Sequence, residues 1–312
     1  MRRRTQKAVV AIFIVAIIVL AAVLVFAPYE SYLDLLNAHI VRSCDFRPFY
    51  AGVPGLPPTR EFISELGDLE DAFPAIQAEA LRVFEEHRTA LLSGKQGVPR
   101  MDETYNTLFD PFGGRNKSGF LGKVEAFVTG KAIRAIYGKK VVDIFTKIGS
   151  KDWRTFNLIL YNHDVPGNVE RCPETVRLLK RVPGMQSALL SILAPGAYIP
   201  PHSDPAKGVI RYHLAFKVPR DRAKCFIEVI DGDRHLRYHW AEGEGVVFDD
   251  VYTHWAQNAT DEFRVILFVD ILRPLEGIPK TLQSLANRAN RYHPGVRRLI
   301  EASQWARLRT ES

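Results

Sequence analysis

The pattern of apolar and polar positions divides the chain into three kinds of sequence. Residues 8–27 carry no polar side chain. Residues 59–92 place apolar side chains such as Ile76, Ala80 and Phe84 at roughly helical spacing, which predicts a helical region. In the second half of the chain, short runs of β-branched and aromatic residues alternate with turn residues, a pattern typical of an antiparallel β domain.

Seven short strands are predicted in this second half, and a short helix is predicted after Pro173. The strands are at 156–161, 188–193, 209–218, 225–230, 236–240, 245–248 and 263–272. Strong turn signals, such as Asp231-Gly232-Asp233, separate them. Short strands at this spacing indicate a mainly β sandwich or jelly roll with flanking helices.

The same pattern predicts four parts. They are a basic stub and transmembrane anchor (1–27), a juxtamembrane linker and helical region (28–150, with a short helix at 124–137), a β domain (151–275) and a basic helical tail (276–312).

The apolar run at 8–27 has the length of a membrane span. Twenty residues at a helical rise of 1.5 Å cover roughly 30 Å, the thickness of the hydrocarbon core of a bilayer. A cleaved signal peptide is the alternative, but its apolar part is usually shorter. We expect a retained single-pass anchor, and we expect the membrane that holds it to be a bacterial inner membrane.

Positive charge is concentrated at the two ends of the chain. The 312 residues have a formal net charge of +7, and residues 280–312 contain seven basic residues against Glu301 and Glu311. Basic ends suggest an anionic membrane surface, and no motif points to nucleic acid or to an obligate protein partner. The tail also contains an apolar set that fits an amphipathic helix either on lipid or packed on the β domain: Val296, Leu299, Ile300, Trp305 and Leu308.

Two histidines and an aspartate form the main candidate for chemistry. His202 and Asp204 are two residues apart, so on an extended segment both side chains point to the same side. His254 has to arrive from another strand. Two imidazoles and one carboxylate are the ligand set that holds non-haem Fe(II) and leaves positions open for co-substrates.

Two arginines lie inside apolar strands after these motifs. Arg211 follows His202 by nine residues, and Arg264 follows His254 by ten. A buried arginine needs an anionic partner, and a carboxylate accepts two parallel hydrogen bonds from its guanidinium. Either a ligand carboxylate or a structural ion pair with Asp249, Asp250 or Asp270 satisfies this need.

The motifs together resemble one known family. They are LAPG at 193–196, PHSDP at 201–205, RYHL at 211–214, FDDVYTH at 248–254 and RVILFVD at 264–270. This set resembles the aspartyl/asparaginyl β-hydroxylase family, with bacterial lipid A 2-hydroxylases as the nearest pattern and ornithine-lipid hydroxylases as a related branch. The resemblance covers about 153–274.

The resemblance implies a double-stranded β-helix (jelly roll) that uses Fe(II), 2-oxoglutarate and O2. It implies His202, Asp204 and His254 as iron ligands, an Asp at 204 being the pattern of the lipid-directed branch. For 2-oxoglutarate it implies Arg264 with Ser191 at the distal carboxylate, Arg211 and His213 at the carboxylate near the metal, and Trp153 at the pocket wall.

Three functions follow as alternatives. The first is a membrane-anchored dioxygenase that hydroxylates a lipid acyl chain. The second is a hydroxylase of Asp or Asn side chains in a protein, and the third is a non-catalytic jelly roll that binds a metal or ligand. The side of the membrane stays open, because the positive-inside rule places the β domain outside the cytoplasm whereas the cofactors are most available inside.

Overall fold

The structure is a computed structural model. It describes residues 37–38, 40–41, 44–92, 98–100, 153–204, 206–291 and 294–305. The anchor predicted at 8–27 and the helix predicted at 124–137 lie outside these residues. Within the described ranges, no helix has the length and apolar character needed to cross a bilayer.

Eleven strands and six α-helices make up the described part of the chain. The strands are β1 (Phe49–Ala51), β2 (Trp153–Leu160), β3 (His163–Asp164), β4 (Met185–Leu193), β5 (Tyr198–His202), β6 (Val209–Lys217), β7 (Cys225–Asp231), β8 (Arg234–Tyr238), β9 (Gly245–Phe248), β10 (Thr253–Asn258) and β11 (Arg264–Leu272). The helices are α1 (Thr59–Phe62), α2 (Ser64–Asp71), α3 (Phe73–Leu92), α4 (Pro173–Leu179), α5 (Gly277–Arg291) and α6 (Pro294–Ala302).

The strands form two antiparallel sheets that face each other. The larger sheet has seven strands in the order β1-β9-β6-β11-β4-β2-β3, and the smaller has four in the order β5-β10-β7-β8. Side chains from both sheets meet in one core, which includes Ile227, Trp240, Phe248 and Ile266. The prediction of a mainly β domain with flanking helices is confirmed.

A second core lies on the opposite face of the larger sheet. Successive side chains of β11 alternate between the two cores: Ile266 and Phe268 face the smaller sheet, whereas Val265 and Leu267 pack in the second core. Helices α2 and α3 cover this face with residues such as Leu69. Because both faces of β11 are buried, its sequence is almost continuously apolar.

All seven predicted strands have a counterpart in the structure, but the two strands that carry the histidines were not predicted. The strand at 245–248 has the predicted bounds, and β4, β6, β7 and β11 differ by a few residues from prediction. Strand β5 contains Pro200 and Pro201, which have no backbone N–H to donate. Its pairing with β10 is irregular where these prolines lie.

Two segments expected to flank the β domain are part of it. Phe49–Ala51, in the predicted linker, pairs with β9 at the edge of the larger sheet. At the other end of the chain, Trp305 is buried in the second core, and its backbone N–H donates to Asn168 Oδ1 at 2.9 Å. The helical region and the tail therefore share a core with the β domain over their described residues.

Candidate active site

The pairing of β5 with β10 brings the two histidines together. His202 and His254 are register partners, and their ring centroids are 4.2 Å apart. His202 Nδ1 lies 2.8 Å from the carbonyl oxygen of Pro200, and His254 Nδ1 lies 2.9 Å from that of Tyr252. Each Nδ1 therefore carries the proton that it donates, and each Nε2 keeps the lone pair that a metal ligand needs.

Burial keeps both imidazoles neutral. It lowers the pKa of His202 to about 4, and it lowers the pKa of His254 well below the usual value, with the neighbouring His202 adding to the effect. The neutral ring is the form that coordinates metal ions.

The carboxylate of Asp204 contacts a backbone N–H and an arginine. Its Oδ1 accepts a hydrogen bond of 2.7 Å from the backbone N–H of Ala206, and its Oδ2 lies 3.9 Å from Arg211 Nη2. Among the residues described, no group of three His, Cys, Asp or Glu side chains is arranged to hold a metal ion. The role of Asp204 as a third ligand stays a prediction.

One end of the pocket holds a buried arginine without a carboxylate partner. Arg264 is only 2% exposed, and none of the ion pairs found within the described ranges includes it. Its Nη2 donates to Ser191 Oγ at 2.8 Å, its guanidinium lies 4.6 Å from the ring centroid of Trp240, and its Nε has no hydrogen-bond partner among the described residues. Burial lowers its pKa to about 10, so the group remains charged at neutral pH.

Ser191 links this arginine to the pocket wall. Trp153 Nε1 also donates to Ser191 Oγ, at 2.8 Å. An oxygen that accepts from two N–H donors has its own hydroxyl hydrogen left to give. Arg264 and Ser191 thus present several donors to a pocket that contains no anion from the described chain.

Arg211, at the other end of the pocket, is paired with carboxylates that are not among the residues lining the pocket. Arg211 donates from Nε and Nη2 to Asp270 Oδ1 at 3.0 and 2.9 Å, and its Nη2 lies 2.7 Å from Asp250 Oδ2. The structural ion pair that the sequence left open for Arg211 is therefore present. Burial raises the pKa of Asp250 well above its usual range, and the neighbouring carboxylates of Asp204 and Asp270 add to this effect.

His213 lies between these two ends. It is 5% exposed, and both of its ring nitrogens lack hydrogen-bond partners among the described residues. Burial lowers its pKa well below the usual value, with the positive charges of Arg264 and Arg211 contributing. A neutral imidazole with unmet hydrogen-bonding capacity is costly to bury, so both ring nitrogens of His213 are left with bonding capacity that a ligand could use.

The predicted residues other than Asp204 line one pocket. Trp153, Ser191, His202, Arg211, His213, His254 and Arg264 all contribute to its wall. The structure adds Trp240, Phe248 and Phe268, which the sequence did not indicate as site residues because they read as ordinary core aromatics.

Asp249, one of the candidate partners for the strand arginines, pairs with a different arginine. Its carboxylate lies 2.7 Å from Arg273 Nη2 and accepts from Tyr50 Oη at 2.9 Å. Asp249 holds the chain before His254 by anchoring it to β1.

The donor set fits an iron ion and a dicarboxylate. The two Nε2 atoms suit Fe(II), and a buried unpaired guanidinium beside a free hydroxyl suits a carboxylate. Arg211 is already neutralised by aspartates, so the contact implied for it with the second carboxylate of 2-oxoglutarate stays a prediction, as does that of His213.

Comparison with known proteins shows that the β domain is similar to hydroxylases. Residues 130–274 match the family model described as aspartyl/asparaginyl beta-hydroxylase, which confirms the resemblance that the motifs carry.

The similar proteins act on different kinds of substrate. An ornithine lipid ester-linked acyl 2-hydroxylase of Rhizobium tropici is 39% identical over 134 residues, which are 43% of this chain and 46% of that protein. Human aspartate beta-hydroxylase domain-containing protein 2 is 35% identical over 40% of this chain and 34% of its own length. Human aspartyl/asparaginyl beta-hydroxylase is 29% identical over 43% of this chain and 17% of its own length. The match thus spans less than half of each relative.

Proposed function

We propose that the chain is a membrane-anchored dioxygenase, built on a double-stranded β-helix, that uses Fe(II), 2-oxoglutarate and O2 to hydroxylate a lipid acyl chain. The observation that carries the proposal is the position of Arg264, a buried cation without a carboxylate partner in the described chain, in the same pocket as a pair of neutral histidines. This combination offers a metal site and an anion site within one enclosed space.

Each side chain has a defined task in this proposal. His202 and His254 hold the iron through Nε2, and Asp204 is the candidate third ligand. Arg264 and Ser191 bind the distal carboxylate of 2-oxoglutarate, while Arg211 and His213 are the candidates for its other end. Together the bound iron and 2-oxoglutarate supply O2-dependent hydroxylation of an unactivated C–H bond, with 2-oxoglutarate converted to succinate and CO2.

The apolar walls contribute by excluding water. Trp240, Phe248 and Phe268 surround His213 at centroid distances of 6.1, 4.9 and 5.3 Å. A dry pocket strengthens the contact between Arg264 and a carboxylate, and it protects reactive species from side reactions.

A lipid acyl chain is the substrate class that fits the sequence best. The Rhizobium relative acts on ornithine lipid, and Asp204 follows the pattern of the lipid-directed branch. The apolar run at 8–27 would restrict the enzyme to a bilayer, where acyl chains are concentrated.

Lipid mass spectrometry of cells expressing the full chain tests this function. We expect a 16 Da gain on an acyl chain, with an ornithine-lipid acceptor examined beside a lipid A acceptor. His202→Ala should abolish the gain, whereas His235→Ala, which removes an exposed histidine on β8, should leave it unchanged.

Protein hydroxylation remains the second candidate, because two of the human relatives carry aspartate β-hydroxylase names. The purified chain should be assayed on an Asp- and Asn-containing peptide beside the lipid acceptors. Hydroxylated peptide without any lipid product would replace the lipid assignment with this alternative.

A further inference from the structure

The two tail helices bury their apolar residues to different extents. In α6, Val296 and Leu299 are 2% and 3% exposed, so this helix packs on the domain rather than on lipid. In α5, Ile278 and Leu285 are 69% and 53% exposed. These are two of the four large apolar side chains that are strongly exposed in the described part of the chain.

The exposed side of α5 is also positively charged. Lys280, Arg288 and Arg291 are exposed, and the helix contains no Asp or Glu, the nearest acid being Glu276 just before it. Apolar side chains among cations are typical of helices that lie at the surface of an anionic bilayer.

The N-terminal segment of the described chain lies against this helix. Ile40 packs with Leu275 and Leu282, and Val41 beside it is 48% exposed. We use the term α5 face for the surface made of Val41, Ile278 and Leu285 together with Lys280, Arg288 and Arg291.

The distance along the chain to the predicted anchor is short. Asn37, whose Oδ1 accepts from the backbone N–H of Lys207 at 3.0 Å, is ten residues after Ala27, the end of the apolar run. Ten residues span at most about 35 Å when fully extended. A chain anchored at 8–27 therefore keeps the segment before Val41 close to the bilayer.

Helix α5 packs against the loop that follows His202. Gln283 on α5 donates to the carbonyl oxygen of Gly208 at 2.6 Å, and Arg273 Nε donates to that of Lys207 at 2.9 Å. Lys207 and Gly208 belong to the loop that follows His202, the last residue of β5. The side of the molecule that carries α5 is thus the side on which the histidine loop lies.

We infer that the α5 face is the membrane-contact surface of this protein and rests on an anionic bilayer. The apolar side chains enter the boundary between headgroups and acyl chains, and the three cations contact the lipid phosphates. The contact turns the histidine loop toward the bilayer. This orientation would help an acyl chain to reach the pocket, and that consequence alone rests on the proposed function.

Depth measurements on the full chain in nanodiscs test this surface. A nitroxide is attached at Leu285→Cys, with Arg220→Cys as the control, in a background with Cys44→Ser; the remaining cysteines are buried. Arg220 has a side chain 95% exposed and lies beyond Lys217, at the end of β6 away from Val209 and the histidine loop. Collisions with oxygen, which concentrates in lipid, are compared with collisions with a water-soluble nickel chelate.

We expect the label at 285 to favour oxygen over nickel, more strongly in phosphatidylglycerol than in phosphatidylcholine nanodiscs. The label at 220 should remain accessible to nickel in both. Equal nickel access at 285 and 220 would overturn the inference. Shielding of 285 from both reagents, in detergent as well, would also overturn it, because a second copy of the chain or another segment would then cover the face.

Charge substitution separates the electrostatic part of the contact. In the triple variant Lys280→Gln, Arg288→Gln and Arg291→Gln, the label at 285 should favour oxygen over nickel to the same extent in phosphatidylglycerol and phosphatidylcholine nanodiscs. A matched variant, Arg177→Gln, Lys180→Gln and Arg220→Gln, removes three exposed cations elsewhere and should keep the difference between the two lipids. Retention of the lipid difference in the first variant would show that these cations are not the source of the preference for anionic lipid. None of these readouts depends on turnover, so a failed activity assay leaves them interpretable.

Discussion

The two arginines of the pocket occupy opposite electrostatic surroundings. Arg211 and Arg264 both follow a histidine motif, both lie inside apolar strands and both are at least 93% buried. Arg211 lies among Asp204, Asp250 and Asp270, whereas Arg264 has a serine hydroxyl and an indole ring. The comparison shows that a buried charge points to a ligand only when the folded chain leaves that charge unneutralised.

The largest expected effect is on stability at the Arg211 end. Arg211→Met should lower the free energy of unfolding by about 3–5 kcal/mol, because it removes the cation paired with the fully buried Asp250 and the partly buried Asp270. Urea unfolding of the purified chain measures this. The double variant with Asp250→Asn should regain part of the loss, and a fully additive double variant would contradict the ion pair.

At the Arg264 end the same substitution should act on ligand binding instead. Arg264→Met should weaken 2-oxoglutarate binding by about 2–5 kcal/mol, roughly 30-fold to several thousand-fold, as expected for removal of one partner of a desolvated charge pair. Titration calorimetry under anaerobic conditions gives the affinity, and metal analysis should show unchanged iron content.

The unliganded Arg264→Met protein should be no less stable than the parent, since a buried cation without a counter-ion is removed. Arg264→Lys is the matched control that keeps the charge but loses the planar fork, and it should bind 2-oxoglutarate weakly. Unchanged affinity in Arg264→Met would exclude this arginine as the carboxylate site.

A buried histidine outside the pocket should make the stability of the fold depend on pH. His87 on α3 is 1% exposed, accepts a hydrogen bond from the backbone N–H of Val98 at Nδ1 (2.9 Å), and has its pKa lowered to about 4, first by burial and then by Arg154. Between pH 6.5 and 4 the unfolded chain binds a proton that the folded chain does not, so stability falls as the pH is lowered through this window.

At pH 4 the protonation of His87 in the unfolded chain should lower the free energy of unfolding by about 2–3 kcal/mol. Denaturant unfolding at several pH values measures it. The variant His87→Gln should show a flatter pH dependence over the same range, and identical slopes in the two proteins would rule out His87 as the source.

The smallest expected effect is at Ser191. Ser191→Ala removes the acceptor shared by Arg264 and Trp153 and the free hydroxyl hydrogen, so 2-oxoglutarate affinity should fall by about 1 kcal/mol, or about fivefold. Ser187→Ala, at another buried serine of the same strand, is the control and should leave the affinity unchanged. An equal loss in both variants would indicate a general effect on β4.

Local patterns predicted the scaffold better than they predicted the site. Strands such as β9 and β11 are apolar on both faces and bounded by turns, so the sequence alone places them. Strands β5 and β10 were missed because β5 contains two prolines and β10 exposes polar residues such as Thr253. The histidines were found from their chemical type and spacing rather than from any strand signal.

Partner choice at the arginines depends on contacts between distant parts of the chain. Arg211 and Asp270 are register partners on neighbouring strands, 59 residues apart in sequence. Asp270 was one of several candidate partners predicted from the sequence, and nothing local distinguished Arg211 from Arg264 in this respect. Likewise the buried apolar residues of α6 and the exposed ones of α5 follow similar helical patterns, and only tertiary packing separates them.

The proline pair of β5 has a consequence for association between molecules. Strand β5 is at the edge of the smaller sheet, where unpaired backbone groups invite another strand to add. Adjacent residues of a strand direct their N–H groups to opposite sides, so Pro200 and Pro201 together remove one donor from each side. The pairing with β10 is irregular as a result, but the edge resists aggregation, which would matter for a chain held at high local concentration on a membrane, as proposed above.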